Sequence, residues 1–151
     1  MAVTVKRITL WRADVENQPG VLARTLEPLA RAGADLRLVM GYRFPNAPER
    51  SAIELYPVSG KKVTGAAQEA GLAEAVDIPC LLVEGDNRSG LGAAIARGLA
   101  DANINIAFLV AQVVGRKFSA SIGFADENAA TQVTRIVKQV SAAPRRSGRR
   151  R

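Results

Sequence analysis

Histidine is absent from this sequence and cysteine occurs once, at Cys80. The first absence removes Ser-His-Asp and Cys-His nucleophile chemistry, a histidine proton shuttle and His-ligated zinc, unless other residues take those roles. The second excludes an intramolecular disulfide and leaves too few thiols for a Cys-based metal site. Aromatic residues make up only 5% of the chain against 48% apolar residues in all, so the core must be built from Val, Ile, Leu and Ala. Long apolar runs are missing too. The longest uncharged stretch, Ala102 to Gly115, has 14 residues and contains Asn103, Asn105 and Gln112, which is too short and too polar to span a bilayer. Lys6, Arg7 and Arg12 bring charge early, so no secretory leader is expected. Together these absences lead to the expectation of a cytoplasmic protein with no metal, no cofactor and no membrane partner.

Positive charge is plentiful but unevenly placed. The net charge is +7, yet Arg145, Arg146, Arg149, Arg150 and Arg151 all lie in the last seven residues. With those five taken from 21 basic residues, 16 face 14 acidic ones, so the remainder is near neutral at +2. The basic character belongs to a tail, 144–151.

What the chain does contain is a repeat. Asn17-Gln18-Pro19-Gly20-Val21-Leu22-Ala23 recurs seventy positions later as Asn87-Arg88-Ser89-Gly90-Leu91-Gly92-Ala93. The register continues without a gap, placing Leu29-Ala30-Arg31-Ala32-Gly33-Ala34-Asp35-Leu36 over Leu99-Ala100-Asp101-Ala102-Asn103-Ile104-Asn105-Ile106. Matched residues in matched spacing indicate two copies of one unit, with boundaries at 1–77 and 78–143. Units of about 70 residues are near the lower limit for an independent core, so the copies are expected to share one.

Within the first copy, residues 5–12 read as a strand. Pro19 suits a first helical position, and the helix carries Leu22, Leu26, Leu29 and Ala30 before Gly33 stops it. Pro28 in mid-helix removes an amide donor and should kink the helix or shift its start. Strands over 35–42 and 52–56, a weak helix over 59–70 and a short strand over 72–76 complete a β-α-β-β-α-β order. The second copy repeats it with a strand over 80–83, a helix over 90–102, a hairpin of 104–114 and 117–124, and a last helix with Asp126 as its N-cap. Nothing after Val140 reads as a strand. A sheet lacking its fourth strand exposes unpaired backbone groups, and the expectation drawn from it is a homodimer. Gly92, Ala96 and Ala100, at i, i+4 and i+8, read as a surface for close packing.

Chemistry concentrates at the turn that each copy repeats. Asn-x-x-Gly precedes the first helix, whose free amides and dipole favour a carboxylate. Gly20 and Gly90 allow a ligand close to the backbone. Asn17 and Asn87, with Asp14 and Asp86 upstream, supply acceptors for an ammonium, and Asn105 is a further candidate. Carboxylate and ammonium together describe a free amino acid. A plain capping turn is the alternative reading of the same residues, and Asn105 also reads as a turn residue.

At these residues the chain resembles the ACT domain. Glu16-Asn17-Gln18-Pro19-Gly20-Val21-Leu22-Ala23, Ala30-Arg31-Ala32-Gly33-Ala34-Asp35 and Leu99 to Ile106 carry the likeness, and from about residue 5 to 140 it resembles proteins made of two ACT domains alone. The resemblance implies an α+β fold of two ferredoxin-like βαββαβ units, with antiparallel sheets side by side and helices packed on them. It also implies amino-acid binding at the interface between ACT units. By motif match the ligand-contacting turn falls on Asn17, Gly20, Val21 and Leu22, and on Asn87, Gly90 and Leu91. Ser89 replaces the usual proline, and Gly92 and Gly98 weaken the second helix by roughly 1 kcal/mol each, so the first copy matches the pattern better.

The expected function is therefore a non-catalytic sensor that binds a free amino acid and regulates a separate enzyme chain. The alternative is nucleic-acid association or a scaffold role through the arginine tail. Five arginines can contact phosphates, but no aromatic is interleaved to stack on bases, so the tail reads first as a solvated terminus. An enzyme finds no paired carboxylates or nucleophile motif to work with.

Overall fold

The computed structural model describes residues 3–142. The basic tail, 144–151, lies outside the described residues. Within them the order is β1 (Thr4–Ile8), β2 (Trp11–Glu16), α1 (Val21–Arg31), β3 (Leu38–Phe44), β4 (Ala47–Tyr56), α2 (Lys61–Glu69), β5 (Ala73–Glu74), β6 (Cys80–Asp86), α3 (Leu91–Asp101), β7 (Ile106–Val114), β8 (Lys117–Phe124) and α4 (Glu127–Ala142). The chain divides into two units, Thr9–Val76 and the segment up to Ile8 together with that from Asp77. It is an α+β fold in which a βαββαβ-like pattern occurs twice.

In the first unit the sheet order is β3-β4-β2-β5, all neighbours antiparallel. Strand periodicity decides which face is covered, because alternate side chains point to opposite faces. Trp11, Ala13, Ile53 and Leu55 pack with Leu29 of α1 and with Val63 and Ala67 of α2 in one apolar cluster. The helices therefore lie on that face. α1 runs from Val21 to Arg31 with Pro28 inside it, so the proline does not shift the helix start past itself. Gly33 follows in the left-handed conformation (φ 87°), and the Ala34 amide donates to the Leu29 carbonyl at 3.0 Å to close the helix.

The second unit has the order β7-β8-β6-β1. Here the sequence reading needs correcting. Residues 5–12 are two strands, not one: β1 pairs antiparallel with β6 from Thr4↔Glu84 to Ile8↔Cys80, while β2 belongs to the first unit's sheet. β1 thus takes the place in this sheet that β5 takes in the other. The fourth strand that the second copy lacks after Val140 is supplied from the chain's own beginning, so the bare edge that pointed to a dimer does not exist at β6.

Two local contacts fix β1 there. The Arg7 guanidinium donates to Glu127, with Nε–Oε2 at 3.2 Å and Nη2–Oε1 at 2.5 Å, and Nη1 donates to the Cys80 carbonyl at 3.2 Å. Glu127 opens α4, whose Asp126 N-cap accepts the Ala129 amide at 2.8 Å as expected. The second unit also has its own cluster, in which Leu81, Val83, Leu99, Ile122, Phe124, Val133 and Val137 are buried. Each unit thus has a core cluster of its own, contrary to the expectation of a shared one.

Candidate functional site

Both copies leave their first strand in the same way. Asn17 to Gly20 joins β2 to α1, and Asn87 to Gly90 joins β6 to α3. Gly20 and Gly90 are the N-cap residues and are left-handed, with φ of 87° and 82°. A Cβ is strained in that conformation, which is why glycine recurs at these two places. Neither helix is capped by a side chain, and neither has an acidic residue in its first turn. The contrast is α4, where Asp126 and Glu127 satisfy and neutralise the same end. The Val21 and Leu91 amides donate to the Gln18 and Arg88 carbonyls at 3.3 and 3.1 Å, and the remaining first-turn amides of α1 and α3 present the helix's partial positive charge to an anion.

The two asparagines are anchored alike through the backbone. The Asn17 amide donates to the Glu49 carbonyl at 2.8 Å and the Asn87 amide to the Arg116 carbonyl at 2.7 Å. Their side chains differ. Asn17 Nδ2 donates to the Pro48 carbonyl at 3.0 Å, clamping the start of β4. Asn87 is exposed and lines a cavity.

Not every residue singled out by the sequence reaches these turns. Ala13 and Val15 pack under the helices, so strand alternation puts Asp14 on the opposite sheet face. Asp86 is likewise offset from Val83, and its carboxylate already accepts from the Lys117 ammonium, which holds it below the usual carboxylate range. Asn105 Oδ1 accepts the Ile106 amide at 3.1 Å, a local turn at the start of β7. Val21 is half-buried, Leu22 is exposed, and Leu91 is buried at the wall of the cavity.

That cavity, about 330 Å³, lies wholly within the second unit, between α3 and the sheet. Leu91, Gly92, Ile95, Ala96 and Leu99 border it from α3, while Leu109, Ala111 and Val113 border it from β7. Asn87 and Arg88 stand at the turn, and Gln112 is the remaining polar residue. Arg88 also donates to the Val140 carbonyl at 3.4 Å. Gly92 and Ala96 therefore rim a space instead of packing against an element, and Ala100 is exposed. The close approach on α3 is at Gly98, where an added Cβ would stand 2.7 Å from Ile136 Cγ2 of α4.

A second polar cluster had no sequence signal beyond strand register. Arg12 Nε donates to Glu54 Oε1 at 2.9 Å across β2 and β4, and the Tyr42 hydroxyl donates to Glu54 Oε2 at 3.3 Å. Glu54 is 2% exposed. Burial, reinforced by the neighbouring Glu54 carboxylate, pushes the Tyr42 phenol up. The cluster satisfies itself and leaves little to offer a ligand. Among the described residues, no group of three or more His, Cys, Asp or Glu is placed to hold a metal ion, and no helix is long and apolar enough to cross a membrane.

No family profile and no curated protein sequence matches this chain. Solved structures do. A protein from Bacteroides thetaiotaomicron matches with a TM-score of 0.72 at 14% identity, over 87% of this chain and 88% of that one. The regulatory subunit of aspartate kinase from Thermus thermophilus, in a ligand-free form, matches with a TM-score of 0.63 at 16% identity, over 93% and 97%. The corresponding subunit from Thermus flavus matches with a TM-score of 0.58 at 18% identity, over the same shares, 93% and 97%. The chain has an ACT-like fold. Both units keep the left-handed glycine turn without a side-chain cap, and the cavity lies in the second.

Proposed function

We propose that this chain is a non-catalytic regulatory protein that binds a free amino acid and acts on an enzyme carried by another chain. The observation that carries the reading is the uncapped α3 N-terminus opening beside a cavity in an ACT-like unit. The ligand's carboxylate meets the first-turn amides, Asn87 accepts its ammonium, and its side chain enters the cavity. Similarity to regulatory subunits of aspartate kinase supports regulation as the role.

A homodimer remains part of the proposal on different grounds. β7 is an edge strand without a charged residue, and Val110 and Val114 are 42% and 69% exposed on it. Edge strands of monomers are ordinarily guarded by charge.

A melting-temperature screen with the twenty free amino acids tests the function. A ligand that binds only the folded state stabilises it by about 2.7 kcal/mol at a hundred times its Kd. At least one amino acid should raise the transition at millimolar concentration. A flat response across all twenty overturns the reading.

A further inference from the structure

We propose that the amino acid held at α3 has a compact aliphatic side chain, seated between α3 and β7. The inference rests on the amino-acid reading above and specifies its ligand class.

The two copies supply the comparison that carries it. In the seventy-residue register, Leu22 and Leu26 of α1 correspond to Gly92 and Ala96 of α3. The second helix lacks two isobutyl groups at the positions that border its cavity. In the first copy Leu26 packs against the core cluster while Leu22 is exposed, so a ligand with a branched aliphatic side chain supplies beside Ala96 the apolar group that Leu26 supplies in α1. The cavity, about 330 Å³, is at the lower end of the range of about 300–1,000 Å³ usual for small-molecule sites.

The walls discriminate by chemistry. Ile95, Leu99, Leu109, Val113 and Ile122 are apolar, and no acidic residue lines the space. A lysine ammonium carried into it would be desolvated with no carboxylate to pair with, and the one cation at its wall, Arg88, stands at the head-group end, away from the apolar walls. The polar residues Asn87 and Arg88 stand at the same end as the helix N-terminus, so one end suits a head group and the rest suits hydrocarbon. Leu109 and Val113 are 55% and 53% exposed, and a seated side chain covers them.

The test is calorimetric titration of the full chain with leucine, isoleucine, valine, threonine, lysine and aspartate, repeated on Ala96→Leu, with mass followed by light scattering. Leucine, isoleucine or valine should bind the wild type about ten-fold or more tighter than the three polar amino acids. Ala96→Leu should weaken that binding about ten-fold or more while leaving the melting temperature unchanged or higher. Threonine, lysine or aspartate binding as tightly as the aliphatics would overturn the inference and leave the amino-acid reading standing. Failure of every amino acid to bind would overturn that reading, and the inference with it. Unchanged affinity in Ala96→Leu with a changed mass would show that a second copy fills the groove, again overturning the inference. Should Ala96→Leu lose cooperative melting, Gly92→Leu decides by the same criterion, since an added Cβ there meets nothing within 4 Å.

Discussion

Asn17 and Asn87 hold the same place in the repeat but spend their side chains differently. Asn17 clamps Pro48, whereas Asn87 faces the cavity. Asn17→Ala should therefore lower stability by about 1 kcal/mol, read as a fall in melting temperature, and leave amino-acid affinity unchanged. Asn87→Ala should do the reverse, weakening binding roughly ten- to a hundred-fold in a titration. The asparagine and glycine positions were legible in the sequence because a left-handed N-cap demands glycine. Which asparagine remains available was not, since that depends on a β4 carbonyl thirty-one residues away. The Glu54 cluster was also illegible for a physical reason: its partners meet only through strand register. Arg12→Met would strand a carboxylate that is 2% exposed, and denaturant unfolding should show a loss of about 3–5 kcal/mol.

At the scale of elements, helices and their stops were read closely because caps and periodicity are local signals, whereas β1 was misread because pairing is not. Residues 5–12 are extended throughout most of their length, and only the partners reveal a change of sheet after Ile8. The Arg7–Glu127 pair joins β1 to the start of α4 and holds the Glu127 carboxyl below its ordinary range. Its stabilising contribution is complete above the ordinary glutamate range and is lost as pH falls through the lowered value. The wild type should thus melt above Glu127→Gln at neutral pH, with the difference vanishing in acid. A constant difference across the titration would assign the effect to something other than ionisation.

α3 offers a sharper case, with two glycines of opposite meaning on one helix. Gly92→Ala meets empty space and should stabilise by about 0.5–1 kcal/mol through helix propensity. Gly98→Val drives a side chain into Ile136 and should cost about 1–3 kcal/mol. Thermal or denaturant melts of the two variants measure both signs. The small-residue spacing on this helix was visible in the sequence, but its reading as a packing stripe chose the wrong face. Close packing runs through Gly98, while Gly92 and Ala96 border the cavity and Ala100 is exposed.

For the whole molecule, the duplication makes two ACT-like units, and divergence between the copies makes them unequal. One helix packs Leu26 against its core cluster, and the other, with Ala96 in that place, borders an apolar space beside an N-terminus that no side chain caps. The repeat register contained this difference, yet small residues in a sequence do not say whether a neighbour or a void lies beside them. The central claim is that a free amino acid occupies that space. Calorimetric titration of the full chain tests it most directly, through stoichiometry and heat-capacity change together. The expected result is saturable binding of one amino acid per chain, with the negative heat-capacity change that apolar burial produces. No heat from any of the twenty amino acids, measured at two temperatures up to millimolar concentration, would contradict it.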